Sequence, residues 1–567
     1  MTTEKIYFNG VNGSTGRYLF PPLTAEELAN IAKGDEFDPK EISELKQKNQ
    51  QVKGTESGFA LVEGLDPKNL AETGWGVIFS ANADPAIKAA LQELLDHRKK
   101  QATQKKEHYY QEYAGPKGYR PDESKNKFLG RHGVGPGPAD PDKMPYYLMI
   151  VGDPQTIPFR FQHQLDVQYA VGRIHFDTPA EYAQYAHSVV KAETEGIALP
   201  RRARFFGVKN SDDKATQLSA QNLIQPLAKW MVDDQKDNHW SVETTLGEAA
   251  TKAELEKLLG GKETPAFLFT ASHGMGFDHG DRRQLLYQGA LLCQDWPGPR
   301  TWESRPIPSD FYFSCDDVSD DASLWGLIAF HFACYSAGTP QFDEFSHRKN
   351  SSERPEIAPH SFISSLSKRL LSHPKGGALA VIGHVERAWG CSFEWQDAGT
   401  QLAVFESTLK RLLEGHTVGS AIEYFNERYA ELSTDLNVEL EDIKYGGEFD
   451  VIALSSMWTA NNDARGYTIV GDPAVKLPVG GSTETNTATR RVLETSPQDF
   501  SASPSTASVS TEQVGNVSDA VTQAHNTLNQ SLEQLIDTIN QGAADPVALK
   551  RSISATVKLL EALNELT

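Results

Sequence analysis

The sequence has few of the features that mark secreted, membrane-spanning or nucleic-acid-binding proteins. Only four cysteines occur in 567 residues, and none forms a C-x-x-C pair, which argues against a zinc ribbon or a disulfide framework and favours a reducing compartment. No apolar run reaches the ~18 residues of a membrane span, and the first residues lack a basic stretch followed by an apolar one. The formal net charge of −21 repels phosphates, so we expect no nucleic-acid partner. These absences predict a soluble, cytoplasmic protein.

Short apolar runs alternate with helical patterns over most of the chain. Residues 266–271 and 327–333 are examples of such runs; each is too short for a helix and rich in strand-forming residues. This alternation predicts an α/β fold with a mostly parallel sheet and helices on both faces. The charged stretch at 99–141, rich in glycine and proline towards its end, is predicted to be a surface insertion.

Composition divides the chain into five predicted parts. We expect residues 1–72 to form an N-terminal region without assignable chemistry, 73–200 a first α/β subdomain and 201–479 a catalytic subdomain. Residues 480–516 are mostly Ser, Thr, Pro, Gln and Asn, which predicts a flexible linker. Helical periodicity returns at 517–567, which predicts a helical hairpin that meets a partner, another copy of itself or the body.

A histidine and a cysteine follow two of the predicted strands. The run at 266–271 leads into His273 and Gly274, and the run at 327–333 leads directly into Cys334. Carboxyl ends of parallel strands meet at one edge of a sheet, so we expect the sulfur and the imidazole within hydrogen-bonding reach. An imidazole favours the reactive thiolate, while the N–H groups of Gly274 and Cys334 are candidate donors to an oxyanion. Either residue alone is usually structural, but together they predict nucleophilic catalysis.

These motifs resemble the caspase-like cysteine peptidases, in particular the gingipain-type family and its CHAT relatives. Residues 169–174 are similar to that family's Val-Gly-Arg strand, and residues 467–473 to its closing Gly-Asp-Pro strand. The resemblance spans about residues 74–478. It implies a caspase-like fold, with His273 as general base and Cys334 as nucleophile of an endopeptidase.

Two further residues are candidates for substrate binding. In the resembling peptidases an acid just ahead of the Val-Gly-Arg strand lines the pocket for a basic side chain, so Asp166 implies cleavage after Arg or Lys. An acid that orients His273 or simply begins the strand is the alternative. Trp389 follows another predicted strand and is a candidate pocket wall, and His384 is an internal rival to His273 as base.

The sequence predicts no cofactor and no metal site. The glycine-rich turn at 12–16 lacks the Gly-Lys-Ser/Thr ending of a phosphate loop. A group of acids precedes the Cys334 strand, where a plain acidic loop, a calcium site and a negative rim remain open as interpretations. These acids are Asp316, Asp317, Asp320 and Asp321.

Three functions are consistent with these residues. The first is an endopeptidase that acts on proteins or peptides through a His273/Cys334 dyad. The second is a caspase-like scaffold or signalling module that binds protein partners with little catalysis. The third, a cysteine-dependent acyltransferase or ligase, would use the same residues and differ only in its product.

Overall fold

A ten-stranded sheet forms the centre of the chain in the computed structural model. The structure describes residues 5–34, 46, 61–302, 304–343, 354–395, 399–480 and 492–493. The predicted helical hairpin at 517–567 lies outside the described residues, as does nearly all of the predicted linker. Among the helices that the structure describes, none is long and apolar enough to cross a membrane.

The strands of this sheet come from both predicted α/β subdomains. In chain order they are β1 Trp75–Phe79, β2 Tyr110–Tyr113, β3 Tyr147–Val151, β4 Ala170–Ile174, β5 Arg202–Gly207, β6 Ser241–Leu246, β7 Phe267–Ala271, β8 Ile328–Phe332, β9 Ala380–His384 and β10 Tyr467–Gly471. Their spatial order is β2-β1-β3-β4-β10-β9-β8-β7-β5-β6. The α/β fold class with a mostly parallel sheet is confirmed, and the subdomain boundaries stay predictions.

Strand β10 reverses the direction of the sheet between its two halves. It pairs antiparallel with β9, so that its first residue, Tyr467, lies opposite His384 at the end of β9. It pairs parallel with β4. The carboxyl ends of β7, β8 and β9 therefore share one edge with the amino ends of β4 and β10. This edge is named the site edge below.

Helices pack around the sheet. In chain order they are α1 Ala25–Ala32, α2 Leu70–Thr73, α3 Pro85–Ala90, α4 Gln92–Ala102, α5 Lys125–Arg131, α6 Phe159–Asp166, α7 Pro179–Thr194, α8 Lys214–Leu218, α9 Gln225–Asp234, α10 Lys252–Leu258, α11 Gln284–Tyr287, α12 Ser365–Leu371, α13 Ala403–Leu413, α14 Val418–Ala421, α15 Glu423–Lys444 and α16 Val451–Gly466. A π-helical segment, Ser219–Ile224, joins α8 to α9.

Local sequence signals explain several of these boundaries. Asp84 accepts a hydrogen bond from the Ala86 N–H and is followed by Pro85 at the first position of α3, the usual arrangement of a helix start. Thr178 and Glu181 form a reciprocal capping box at the start of α7. In the middle of the sheet every residue of β7 and of β8 is buried, as expected for central strands that are covered on both faces.

The stretch at 99–141 is only partly a surface insertion. It contributes edge strand β2, which pairs in parallel with β1, and helix α5. Residues 110–112 of β2 are only partly buried, as expected for an edge strand whose sequence carries polar residues. The predicted surface insertion therefore contributes an edge strand, which the sequence pattern did not indicate.

The first thirty described positions of the chain lie against the site edge. Val11–Asn12 forms a short strand parallel to Met275–Gly276, which directly follows His273 and Gly274. Helix α1 packs with α16 through a cluster of apolar side chains. The N-terminal region, to which the sequence assigned no chemistry, is thus joined to the loop that carries the predicted base.

Candidate active site

His273 and Cys334 occupy matched positions beyond two neighbouring strands. Strands β7 and β8 run parallel with Ala271 opposite Phe332, and each candidate residue comes two positions later. A Cβ atom on Gly274 would overlap the carbonyl of Cys334. The two strand-end loops can therefore touch because residue 274 has no side chain. The structure brings the predicted base and the predicted nucleophile to the same edge of the sheet.

The imidazole of His273 is buried and held from both sides. Its Nε2 lies 2.6 Å from Asp213 Oδ2, and its Nδ1 lies 2.8 Å from the backbone nitrogen of Gly10. Because the Gly10 N–H can only donate, Nδ1 accepts this hydrogen bond, and the Nε2–H therefore donates to Asp213. A carboxylate in this position fixes the tautomer and the orientation of the ring.

Asp213 is a residue of the site that sequence reasoning missed. It caps helix α8, beyond the end of β5, and its side chain is fully buried. The hydroxyl of Tyr18 donates to its Oδ1 at 2.6 Å. Burial raises the pKa of the Asp213 carboxyl, but its electrostatic interaction with His273 and its side-chain hydrogen bonds outweigh burial, so this pKa lies below its ordinary value. The carboxyl is therefore the anionic partner of the imidazole.

The sulfur of Cys334 is enclosed by backbone groups. Its Sγ donates to the carbonyl oxygen of Asn9 at 2.9 Å and accepts from the N–H of Ala388 at 3.2 Å. Burial raises the pKa of the Cys334 thiol to about 12. In this closed arrangement the thiol is therefore protonated, and the thiolate that the sequence led us to expect is not the favoured form.

The turn that carries the sulfur is conformationally strained. Tyr335, the residue after Cys334, has φ +59°, and Glu386 in the loop after β9 has φ +70°. Side chains rarely adopt this left-handed region. The Tyr335 N–H donates to the Glu386 carbonyl at 2.6 Å. This hydrogen bond joins the two residues that have a positive φ angle. Strain of this kind is common where a chain must present one side chain in a fixed direction.

One peptide group of the N-terminal region lies between the sulfur and the imidazole. The carbonyl oxygen of Asn9 faces Cys334 Sγ, and the nitrogen of the same peptide bond, which belongs to Gly10, faces His273 Nδ1. Among the described residues, no direct hydrogen bond joins His273 to Cys334. The two side chains contact opposite ends of one amide instead of each other.

Trp389 contacts this same N-terminal segment. Its backbone forms an antiparallel bridge with Phe8, the residue before Asn9, and the two rings are 4.4 Å apart between centroids, edge to face. The Trp389 N–H donates to Asp463 Oδ1 at 2.8 Å, which holds its loop. The predicted pocket wall therefore lies beside the chain that occupies the site.

Asp166 lies at the amino end of β4 and thus towards the site edge. It is the last residue of α6, four positions before Ala170 begins β4, and it is 7% exposed. The strand direction reverses at β10, and for this reason the start of β4 shares an edge with the ends of β7 and β8. The structure therefore places Asp166 towards the site edge, as the sequence led us to expect. Among the described residues, no hydrogen bond joins Asp166 to His273 or Cys334.

His384 is turned away from the sulfur. Its Nε2 lies 2.9 Å from the backbone oxygen of Asp463 and 3.3 Å from that residue's Oδ1, and its ring packs edge-on against Tyr467. It thus contacts α16 and the start of β10 rather than the N-terminal segment. Of the two histidines proposed as base, only His273 contacts the peptide group that faces Cys334.

The acids ahead of the Cys334 strand bind separate partners. Tyr287 donates to Asp316, Lys252 pairs with Asp317, and Arg369 pairs with Asp320. Asp321 pairs with Lys375. Within the described ranges, no group of three or more His, Cys, Asp or Glu side chains is arranged to hold a metal ion. The geometry therefore favours the plain acidic loop.

Sequence reasoning also missed Asn9, Gly10 and Tyr18. All three lie in a polar region with little apolar periodicity, far along the chain from the residues that they contact. Gly10 has φ +105°, and a glycine at that position was the one local signal available. It does not distinguish a site residue from an ordinary turn.

Comparisons with known proteins agree with the resemblance seen in the motifs. The model of peptidase family C25 matches residues 77–478, and no curated protein matches the chain. A solved structure described as a protease is 13% identical, with 72% of this chain and 79% of that chain covered at a TM-score of 0.41. The crystal structure of the Arg-specific cysteine proteinase gingipain R (RgpB) is 12% identical, with 71% of this chain and 78% of that chain covered at a TM-score of 0.41. The complex of Porphyromonas gingivalis RgpB pro- and mature domains is 11% identical, with 71% of this chain and 79% of that chain covered at a TM-score of 0.39. The likeness to CHAT proteins stays a prediction.

Proposed function

The chain belongs to peptidase family C25 and is a cysteine-type peptidase, and we propose that Cys334 is its nucleophile and His273 its general base. The observation that carries this assignment is the shared peptide group: Sγ of Cys334 lies at its oxygen and Nδ1 of His273 at its nitrogen. A dyad that splits an amide needs a nucleophile beside the carbonyl carbon and a proton donor beside the nitrogen, and both candidate side chains lie against this one amide.

The arrangement supports a two-step acyl transfer. Cys334 Sγ attacks the carbonyl carbon, and His273 moves the thiol proton to the nitrogen that leaves. Asp213 keeps the imidazole oriented for these transfers. We assign Gly274 and Cys334 N–H groups as donors to the oxyanion that develops during attack. Water then releases the acyl group from sulfur.

We further propose that the peptidase prefers Arg or Lys before the cut and that Asp166 reads this side chain. A buried carboxylate at the edge where the peptide binds would compensate the charge of a basic residue. The net charge of −21 would also favour the approach of basic substrates.

A test of the dyad requires an open site, because Cys334 is fully buried in the closed arrangement. Phe8 is 1% exposed and packs against Phe20 and Trp389. The substitution Phe8→Glu places a charge in this apolar contact and should unseat the segment. We expect the full chain with Phe8→Glu to be labelled by a peptide chloromethyl ketone that carries Arg at the reactive position.

The matched controls are two cysteine substitutions in the Phe8→Glu background. Cys334→Ala should abolish labelling. Cys315→Ala should keep it, because the partly exposed Cys315 thiol donates hydrogen bonds to Leu286 and Asp316 and has no part in the proposed dyad. Equal labelling in both would refute the assignment. An open but unreactive site would favour the alternative, a scaffold that binds protein partners with little catalysis.

The test of specificity compares two acids on opposite edges of the sheet. Asp166→Asn should lower kcat/KM for Arg and Lys substrates by about tenfold or more, because a buried charge pair is lost, and should spare substrates with an uncharged residue there. Asp153→Asn is the control, since Asp153 follows the carboxyl end of β3 at the other edge. A peptide library would measure both. An unchanged preference in Asp166→Asn would contradict the assignment of Asp166.

A further inference from the structure

We propose that Tyr18 is a positioning residue of the peptidase, which holds Asp213 in place behind the imidazole of His273. This inference rests on the dyad proposed above and adds a side chain from the N-terminal region. The Tyr18 hydroxyl donates to Asp213 Oδ1 at 2.6 Å, and Oδ2 of the same carboxylate lies 2.6 Å from His273 Nε2. Tyr18 lies outside residues 77–478, the range that the family model matches, so membership of the family does not account for this contact.

The other hydrogen bonds of the Asp213 carboxylate come from its own helix. The Ala215 N–H donates to Oδ1 at 3.2 Å, and the Thr216 hydroxyl donates to Oδ2 at 2.8 Å. Both donors lie on α8, which Asp213 caps, so they orient the carboxylate relative to that helix only. Of the donors that the described residues supply, only Tyr18 and His273 come from distant parts of the chain. Tyr18 therefore fixes the carboxylate relative to the rest of the site.

The hydroxyl of Tyr18 remains a donor while the enzyme works. Burial and the neighbouring Asp213 carboxylate raise the pKa of Tyr18 above its ordinary value, so the hydroxyl keeps its proton. The same hydrogen bond contributes to the lowered pKa of the Asp213 carboxyl. A carboxylate with a lowered pKa stays anionic and leaves the Nε2 proton on the ring of His273. Nδ1 is then the nitrogen that carries the thiol proton.

The loop at 11–18 is bonded to the body of the protein independently of the residues that cover the sulfur. Asn12 Nδ2 donates to Asp278 Oδ1 at 2.6 Å, and the Ser14 hydroxyl donates to Asp281 Oδ2 at 2.6 Å. The first two residues of the loop also form the short parallel strand pair described above. These contacts hold the loop in place when a neighbouring segment moves.

Residues 8–10, by contrast, are bonded to the groups that a substrate must reach. The Asn9 oxygen accepts from Cys334 Sγ, and the Gly10 N–H donates to His273 Nδ1. The peptide bond of a substrate can reach these two side chains only after both contacts break. The change that opens the site is confined to residues ahead of the loop at 11–18, so the positioning residue stays in contact while the site is open.

The experiment measures hydrolysis of an Arg peptide by the full chain in the open Phe8→Glu form, with and without Tyr18→Phe. This second substitution removes only the hydroxyl. We expect kcat to fall about tenfold with little change in KM, because the loss of a hydrogen bond to a charged group has an effect of about this size. Phe8→Ala, which removes the same ring contact without introducing a charge, supplies a second open form.

Tyr7→Phe is the matched control for Tyr18→Phe. The ring of Tyr7 lies 6.3 Å from the ring of Tyr18 between centroids, and in the part of the chain that the structure describes no hydrogen bond joins Tyr7 to Asp213. Both substitutions therefore remove one hydroxyl from the same pair of rings. We expect Tyr7→Phe to keep kcat, and an equal loss of kcat in the two variants would overturn the inference.

A pH profile distinguishes positioning from a general loss of structure. The titratable groups next to the Asp213 carboxyl are His273 and Tyr18, and Asp212 and Tyr7 lie near Tyr18. Without the Tyr18 hydroxyl, fewer hydrogen bonds oppose the rise in the pKa of Asp213 that burial causes. The loss of kcat/KM in acid should therefore begin at higher pH in Tyr18→Phe than in Tyr7→Phe. A loss by the same factor at every pH would overturn the inference.

A double substitution tests whether Tyr18 acts through Asp213. In the Asp213→Asn background, Tyr18→Phe should have little further effect on kcat, because the effects of residues that act as a unit do not add. The measurement compares Tyr18→Phe with and without Asp213→Asn in the same open form. A full tenfold loss in both backgrounds would show that Tyr18 acts independently of the carboxylate and would overturn the inference.

The outcomes separate this inference from the proposed function. Hydrolysis that depends on Cys334 but is equal with and without Tyr18→Phe would overturn the inference and leave the peptidase assignment standing. This result would also be seen if opening the site carried the loop at 11–18 away with residues 8–10. Absence of hydrolysis that depends on Cys334 in both open forms would refute the proposed dyad, and the inference with it.

Discussion

Two buried histidine–aspartate pairs lie at the site edge, and only one of them faces the sulfur. His273 pairs with Asp213 and contacts the amide between Asn9 and Gly10. His384 pairs with Asp463 and packs against Tyr467. The same two residue types thus have different surroundings: the first pair lies at the amide that faces the thiol, and the second holds the loop of Trp389 through Asp463. Position relative to the thiol, and not the pair itself, therefore distinguishes the histidine that we propose as general base.

The largest difference between the pairs should appear when each histidine is replaced by glutamine. His273→Gln should lower kcat on peptides by about a thousandfold or more, because general acid–base transfer contributes on that scale. His384→Gln should lower kcat less than about tenfold and act mainly on the free energy of unfolding. Steady-state kinetics and denaturant unfolding of both variants measure this. Similar losses of kcat would show that the distinction between the pairs is wrong.

A smaller difference is expected from the aspartates. Asp213→Asn should lower kcat about a hundredfold with little change in KM, because the imidazole loses the anion that fixes its tautomer and orientation. Asp463→Asn should raise KM instead, since Asp463 positions the backbone of Trp389. A split between kcat and KM in the two variants would sharpen the comparison. A common effect on KM alone would assign both aspartates to substrate binding.

The smallest effect concerns stability in acid. The pKa of Asp213 lies below its ordinary value of 3.8 in the folded chain. A lowered pKa means that its contribution to folding is present above pH 3.8 and is lost as the pH falls through the lower, folded value. The stability difference between the unchanged chain and Asp213→Asn should therefore shrink only below pH 3.8. Denaturant unfolding across the acid range measures it, and a difference that already shrinks near neutral pH would contradict the lowered pKa.

The parts of the site on strands could be predicted from the sequence. His273 and Cys334 each follow a short, wholly apolar run, and such runs identify buried strands whose ends meet at an edge. The aromatic rings of Phe205, Phe269 and Phe330 then stack across β5, β7 and β8, with 5.8 Å and 4.7 Å between centroids. Strong local patterns of this kind specify both the strand and its neighbours.

The parts of the site that depend on distant contacts could not be predicted. Asp213 precedes His273 by 60 positions, and its place before a short helix indicates an ordinary cap and not a contact with a distant imidazole. Gly10 lies 263 positions before His273, and nothing in its polar surroundings indicates which surface it meets. Strand β2 was missed for a related reason, since an edge strand with one polar face resembles a loop. These pairings are decided by tertiary packing, for which a single sequence carries little local signal.

The reversal of direction at β10 gives the site two independent sources of residues. On one side of β10, the proposed base and nucleophile come after strands; on the other, Asp166 comes before one. If Asp166 reads the substrate as proposed, a change in the connection between α6 and β4 would alter which substrate side chain is accepted without moving the sulfur or the imidazole. Under this proposal selectivity and reactivity depend on different strands, so the first can change while the second is kept.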